Sequence, residues 1–147
     1  MLPNLKNTVI SAIKNRRRLL IRYSGNKRSR LVEPHILYES ENKHQILVCF
    51  QVGGYSSRGR KPPFWRPFRL KKVESVYVVD ELFEPRVSKG FKTVEALTRG
   101  EIELSITIDH GEYNFFNSAV YGPPPPNYLE QQTTMYRTME RMAAVSS

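Results

Sequence analysis

ILVCFQVGG (Ile46–Gly54), YSSRGRKPPFW (Tyr55–Trp65) and RPFRL (Arg66–Leu70) follow one another without a break, and how they are read decides the fold. The first is a continuous apolar run, rich in β-branched and aromatic residues, that stops at Gly53-Gly54. The second is a basic loop with a proline pair, Pro62-Pro63, near its end. The third returns as a strand bearing Arg66 and Arg69. Apolar runs bounded by Gly and Pro are the signal for strands, so the stretch predicts a hairpin with a long loop. Each proline ring fixes φ and removes a donor, which stiffens the return path. What this hairpin presents to its surroundings is a set of cations.

Upstream, Asn4 to Leu20 reads as one helix, with Leu5, Val9, Ala12, Ile13 and Leu20 near one face. Arg16-Arg17-Arg18 would crowd its last turn as a solvated, dipole-compatible end. Leu19 to Tyr23 then reads as a short strand, Ser24-Gly25-Asn26 as a turn, and Arg30 to Tyr38 as a second strand. Pro34 removes a ladder donor from that strand, so it should lie at an edge, carry a bulge, or bend between two sheet surfaces. His44 to Val52 is the third strand, Trp65 to Leu70 the fourth, and Val73 to Val79 continues it or forms a fifth. The fold class expected is α+β: an N-terminal helix laid on a small, strongly bent antiparallel sheet or partly open barrel.

Residues 80–91 read as an extended tail with Leu82 and Phe83 packing back, which makes 1–91 the barrel domain and 92–147 a C-terminal extension. In the extension, Ile102, Leu104, Ile106 and Ile108 alternate with polar residues, as a strand does. A proline-rich spacer at 122–127 precedes a possible helix over 128–145, whose Met135, Met139 and Met142 suit packing or a weak oligomer contact. That tail and the open strand edges allow a homodimer.

The charge is uneven. The 147 residues carry a formal net charge of +9, but residues 1–91 hold 19 Lys and Arg against 7 Asp and Glu, whereas 92–147 hold 4 against 7. A basic domain with a mildly acidic extension favours an anionic partner, nucleic acid or a phosphorylated ligand. The lone cysteine, Cys49, excludes an internal disulfide and a thiolate-built zinc site. No leader-type segment and no run of membrane-spanning length is present, so a soluble, cytoplasmic protein without membrane contact is expected.

For chemistry, His35, His44 and His110 have no metal-ligand spacing. Ser56-Ser57 as nucleophile, or Glu33 and His35 as acid and base, are supported only by proximity, and GGYSSRG lacks the spacing and following helix of a phosphate loop. No cofactor and no catalysis are expected. The basic and aromatic residues are more coherent: Arg22, Tyr23, Arg30, Tyr38, Tyr55, Arg58, Arg60, Lys61, Trp65, Arg66, Phe68 and Arg69 come from neighbouring strands and one loop. Arginine can hold a phosphate with two parallel hydrogen bonds, and an aromatic face can stack on any base. The set fits single-stranded nucleic acid or a nucleotide better than duplex DNA, since no helix has a groove-reading pattern. Phe68 and Arg69, as neighbours in a strand, point to opposite faces, so that one packs and the other is available.

The order AI-x-x-R-R-x-L-x-I-x-Y (Ala12–Tyr23), RLVEPHIL (Arg30–Leu37), ILVCFQVGG (Ile46–Gly54), WRPFRLKKV (Trp65–Val73) and VVDELFEPR (Val78–Arg86) resembles a WYL domain, in particular the short stand-alone members. The resemblance covers roughly residues 5–90. It implies an Sm-like, SH3-type β-barrel with a leading helix, and a ligand-sensing role in bacterial transcription regulation, DNA-damage response or phage defence. It also implies single-stranded nucleic acid as ligand, with Tyr23, His35, Arg66 and Arg69 facing it beside the Tyr55–Lys61 loop, and Trp65 near by. The tripeptide that names the family falls at Gln45-Ile46-Leu47, without its two aromatics. No helix-turn-helix precedes Leu5 in this sequence, so the implied partner is a separate DNA-binding regulator.

Overall fold

The structure, a computed structural model, describes residues 1–56 and 59–108. Helix α1 spans Leu5–Asn15 and is followed by strands β1 (Arg17–Tyr23), β2 (Arg30–Glu39), β3 (Gln45–Gly54) and β4 (Phe64–Arg69). A 3-10 turn at Leu70–Lys72 leads into β5 (Val73–Leu82). A second, at Val87–Lys89, precedes α2 (Phe91–Leu97) and β6 (Glu101–Ser105). The expected spacer at 122–127 and helix at 128–145 lie outside the described residues.

α1 buries Leu5, Val9, Ala12 and Ile13, the i, i+4, i+7, i+8 face of an amphipathic helix. It is shorter than the apolar spacing suggested. Arg16 adopts a left-handed conformation at φ 54° and its N–H donates back to the carbonyls of Ala12 and Ile13, which ends the helix. Such a conformation costs a non-glycine residue roughly 1–2 kcal/mol. The Arg16 guanidinium offsets it by bonding Glu84 at 3.3 Å and the Thr107 carbonyl at 2.9 Å. Arg17 and Arg18 are therefore strand residues. They too have partners: Arg17 pairs with Asp80 at 2.9 Å, and Arg18 bridges Glu33 at 3.0 Å and Glu81 at 2.7 Å. The triplet is an inter-strand clamp, not a solvated helix end.

All pairings are antiparallel, in the order β4-β3-β2-β1-β5, with β6 added alongside β2. β2 changes partners along its length. Arg30, Leu31 and Val32 pair with β1, whereas Ile36 to Glu39 pair with β6, and the β2–β3 register slips between Pro34 and Ile36. Pro34, with no N–H to give, stands where the strand passes from one partner to the other. Of the edge, bulge or bend expected there, the register shift is the bulge, and it stands where one strand serves two partners.

The sheet does not close into a hydrogen-bonded barrel, because β4 and β5 end the path and do not pair with each other. The bend nevertheless brings the end of β4 to the end of β1, where the Arg69 N–H donates to the Tyr23 hydroxyl at 3.0 Å and Ser24 N–H donates to the Lys72 carbonyl at 3.0 Å. A tyrosine side chain, not a ladder, spans the seam.

Both faces of β3 are buried, which accounts for its unbroken apolar run. On one side α1 and β1 contribute Leu5, Val9, Ile13, Leu19 and Ile21 to the core. On another, His35, Phe50, Trp65, Phe83 and Phe91 form an aromatic cluster with ring centroids 4.9–6.4 Å apart. Phe83 packs back as expected, but Leu82 is 65% exposed. Among the described residues no helix is long and apolar enough to cross a membrane.

Candidate anion-binding site

The β3–β4 register runs unbroken from Ile46↔Arg69 to Gln51↔Phe64, so Pro67 leaves the alternation of β4 intact. Trp65 and Arg66 consequently face opposite ways, and Arg66 shares its face with Phe68. This arrangement splits the basic and aromatic residues into two groups.

The first group gathers around Arg30. Its side chain is only 1% exposed, and its guanidinium carbon lies 5.9, 5.2 and 5.6 Å from the ring centroids of Tyr23, Tyr55 and Phe68. The guanidinium of Arg66 sits against the same Phe68 ring at 5.6 Å. Cation–π contact is worth about 0.5–2 kcal/mol per ring, which holds a buried arginine in place without neutralising it. Among the described residues no carboxylate stands within ion-pair distance of Arg30, and its Nε is buried without a hydrogen-bond partner. Burial, together with the charge of Arg66, lowers its pKa to about 10, with the two tyrosines opposing. It therefore remains cationic at neutral pH. Elsewhere the chain treats its arginines differently: Arg16, Arg17, Arg18, Arg22 and Arg86 each face a carboxylate.

Tyr23 is 7% exposed. Burial raises its phenol pKa, while the Arg69 N–H and the charges of Arg66, Arg69 and Arg30 pull the other way. Its ring meets Phe68 edge-on at 5.0 Å.

Tyr55 is aimed by the QVGG turn. The buried Gln51 amide donates to the Tyr55 carbonyl at 2.7 Å and to the Gly53 carbonyl at 3.2 Å, and the Tyr55 N–H donates to the Ser29 carbonyl at 3.0 Å. Gly54, at φ +85°, packs so closely that a Cβ would stand 2.3 Å from the Ser29 oxygen and 2.8 Å from the Arg30 Cα. Only glycine suits both the backbone conformation and the contact. Beyond Tyr55 opens a cleft of about 490 Å³ lined by Arg28, Ser29, Gly59, Arg60 and Lys61 as well as Tyr55, with no acidic residue among the described residues of its wall. Arg28, Arg60 and Lys61 are exposed there, and the Arg60 guanidinium lies 4.7 Å over the Phe64 ring.

Of the residues singled out from sequence, Tyr23, Tyr55 and Arg66 thus come together around Arg30, Arg69 joins them through its backbone N–H while alternation turns its side chain to the other face of β4, and Arg60 and Lys61 border the adjoining cleft. Arg58 lies outside the described residues. His35 and Trp65 belong to the second group, in the core away from this face. His35 is fully buried: the Arg86 N–H donates to its Nε2 at 3.1 Å, so Nδ1 carries the proton and donates to the Glu33 carbonyl at 2.8 Å. Burial lowers its pKa to about 3. Trp65 is 3% exposed and gives its indole N–H to the Lys89 carbonyl at 2.7 Å. Neither ring is placed to touch a ligand, because the strand alternation and the bend at Pro34 turn both toward α2. Glu33 is equally occupied, with Arg86 bonding both carboxylate oxygens at 2.6 and 2.9 Å and Arg18 adding 3.0 Å.

The residues that sequence reasoning left out of the site are the positioning pair Gln51 and Gly54, and Arg28; Arg30 was in the basic and aromatic set, but its burial was not foreseen. The GG pair after an apolar run was a usable signal for the turn; nothing local marks Arg30 as buried.

Fold and site together define an α+β module, a helix on an open antiparallel sheet with an aromatic-lined cationic face around Arg30. No family model matches the chain, and no curated protein does. Among solved structures, proteasome accessory factor B/C (PafBC) of Arthrobacter aurescens is similar over 54% of this chain, at 24% identity and a TM-score of 0.43. The matched part spans 12% of that protein. A likeness this distant carries no functional weight.

Proposed function

We propose that this chain is a non-enzymatic, WYL-like sensing module on a strongly bent, Sm-like sheet. It binds single-stranded nucleic acid or a nucleotide-like anion and acts in bacterial transcription regulation or defence, in the cytoplasm, with a separate DNA-binding regulator as its output. The observation that supports this reading is Arg30, a buried cation with three aromatic rings about it and, among the described residues, no carboxylate within ion-pair distance. Leaving a charge desolvated and uncompensated costs several kcal/mol, and a bound anion recovers it. The burial of Glu33 and His35, both committed to Arg86, favours a binding role over an acid–base one. Arg66 and Arg69 give the site its more accessible cations. The Arg66→Glu/Arg69→Glu double variant should lose binding of a fluorescent single-stranded oligonucleotide while its circular dichroism and unfolding midpoint stay near those of the parent. Retained affinity would remove the site from this face.

A second reading, a protein-interaction adaptor, has one observation in its favour. β5 ends the sheet, and Tyr77, Leu82 and Val78 on it are 68%, 65% and 44% exposed. An unpaired strand edge with apolar side chains accepts a partner strand, from a second copy or another protein. Association that is insensitive to salt and lost on Tyr77→Lys would favour it.

A further inference from the structure

From three loops that meet beside Tyr55 we infer that the module binds its ligand as a strand of several nucleotides and not as a single nucleotide, with the phosphates tracked by a cationic surface of Lys27, Arg28, Arg60, Lys61, Lys71 and Lys72. The inference rests on the nucleic-acid reading above and decides between the two ligand classes which that reading leaves open.

Three features carry it. The first is the way the loops are joined. The β1–β2 loop, residues 24–29, lies between the other two. At its start the Ser24 N–H donates to the Lys72 carbonyl at 3.0 Å, and at its end the Ser29 carbonyl accepts the Tyr55 N–H at 3.0 Å. Lys71 and Lys72 therefore adjoin one end of this loop, and Arg60 and Lys61 adjoin the other across the cleft that they share with Arg28 and Tyr55. Lys27 and Arg28 stand between, and all six residues are exposed. A nucleotide brings its phosphates to one such pair, whereas a strand repeats a phosphate at every residue and can meet all three.

The second is charge. Among the described residues no carboxylate stands within ion-pair distance of any of the six. Glu74, the next acid after Lys72, is already taken: it accepts the Gly25 N–H at 2.7 Å and faces Arg22 at 4.0 Å. Asp80, Glu81 and Glu84 pair with Arg17, Arg18 and Arg16 around the start of β1, at the far end of that strand. One end of β1 is thus neutralised and the other left cationic, and cations that meet phosphates gain affinity by releasing counterions. The third is shape. The cleft of about 490 Å³ makes the surface concave between Arg28 and Arg60, with Tyr55 in its wall, which suits a chain that can bend into it and lay a base against the ring. A bilayer, also an extended anion, cannot enter a cleft. None of the exposed large apolar residues among those described, Met1, Tyr77, Val78, Leu82 and Ile102, lies in these loops to anchor in one.

The test uses the full 147-residue chain and oligothymidylates of about 2, 4, 8 and 16 nucleotides, a range set by the site sizes of single-strand binders, each with one terminal dye. Fluorescence anisotropy should show affinity rising with length by more than the added number of binding registers gives. The logarithm of the association constant should also fall more steeply with the logarithm of salt, by about 0.7 for each further phosphate contacted. For the longest strand, Lys27→Gln/Arg28→Gln and Lys71→Gln/Lys72→Gln should each make that slope shallower by about 1.4, two contacts' worth. Lys14→Gln/Lys43→Gln, which removes the same charge from exposed positions in α1 and the β2–β3 turn, should change it little. Affinity and slope that do not change with length, or an equal loss in this control pair, would overturn the strand inference and leave a nucleotide-sized ligand as the reading. Absence of binding at every length would overturn the nucleic-acid reading as well.

Discussion

Removing the Glu33 carboxylate should destabilise the protein more than its single lost charge suggests. Glu33 has no solvent exposure and accepts three charge-assisted hydrogen bonds, two from Arg86 and one from Arg18, and so ties β2 to β1 and to the segment after β5. Breaking a buried pair by deleting one partner costs about 3–5 kcal/mol, because the other charge is left uncompensated. The arginine side chains here are 31% and 25% exposed, so water recovers part of that, and Gln can still accept one bond. Glu33→Gln should therefore lose about 3 kcal/mol, which for a domain of this size is a fall in Tm on the order of 10–20 °C. The assay is equilibrium urea unfolding followed by the fluorescence of Trp65, the only tryptophan and 3% exposed. In a double-mutant cycle, Arg86→Met should cost less in the Glu33→Gln background than alone, by about 0.5–3 kcal/mol. A loss below about 1 kcal/mol with no coupling would refute the reasoning, since that is how a solvated surface pair behaves.

Further outcomes follow from other parts of the fold. Gly54→Ala should cost about 2 kcal/mol or more and weaken ligand binding, because its Cβ meets backbone of Ser29 and Arg30; Gly25→Ala, also at positive φ but with nothing within 4 Å, should cost only the conformational strain of about 1 kcal/mol. His35 is held neutral in the folded state with its pKa depressed to about 3, so the unfolded chain takes up its proton first as pH falls below about 6.5. Its contribution is thus whole above that pH and declines toward pH 3 by up to roughly 1.4 kcal/mol per unit, a dependence that urea midpoints should show flattened in His35→Gln. Cys49 is buried with its thiol pKa raised well above the usual value, by desolvation first, so a water-soluble disulfide reagent at pH 8 should modify it only after unfolding.

What was legible in the sequence follows from how local each cause is. The hairpin of β3 and β4 rests on composition and on Gly and Pro punctuation, and it stands where expected. Pro34 could be read as an edge, a bulge or a bend because a missing donor acts on its own strand, and the register slips there, although the two partners it separates, β1 and β6, could not be named. The end of α1 was misplaced because Leu19 and Leu20 continue the apolar face, and the left-handed turn at Arg16 is stabilised by Glu84 and Thr107, far along the chain. The same distance hid the partners of Arg17 and Arg18. In the site, parity placed Phe68 inside and left Arg69 partly open, as alternation requires. The burial of His35 and Trp65 depends on α2 and the chain before it, which carry no local mark of where they pack. Arg30 was the least legible residue, since a buried arginine without a carboxylate contradicts the usual pattern, and such contradictions gather at functional sites.

The most direct test of the central claim is the anisotropy of a labelled single-stranded oligonucleotide, and of its duplex, titrated with the full chain across a salt series. The account predicts tighter binding of the single strand, with the logarithm of the association constant falling linearly in the logarithm of salt by about 0.7 per phosphate contacted. No binding of either form at low salt would contradict it, and the cations around Arg30 would then need a partner other than nucleic acid.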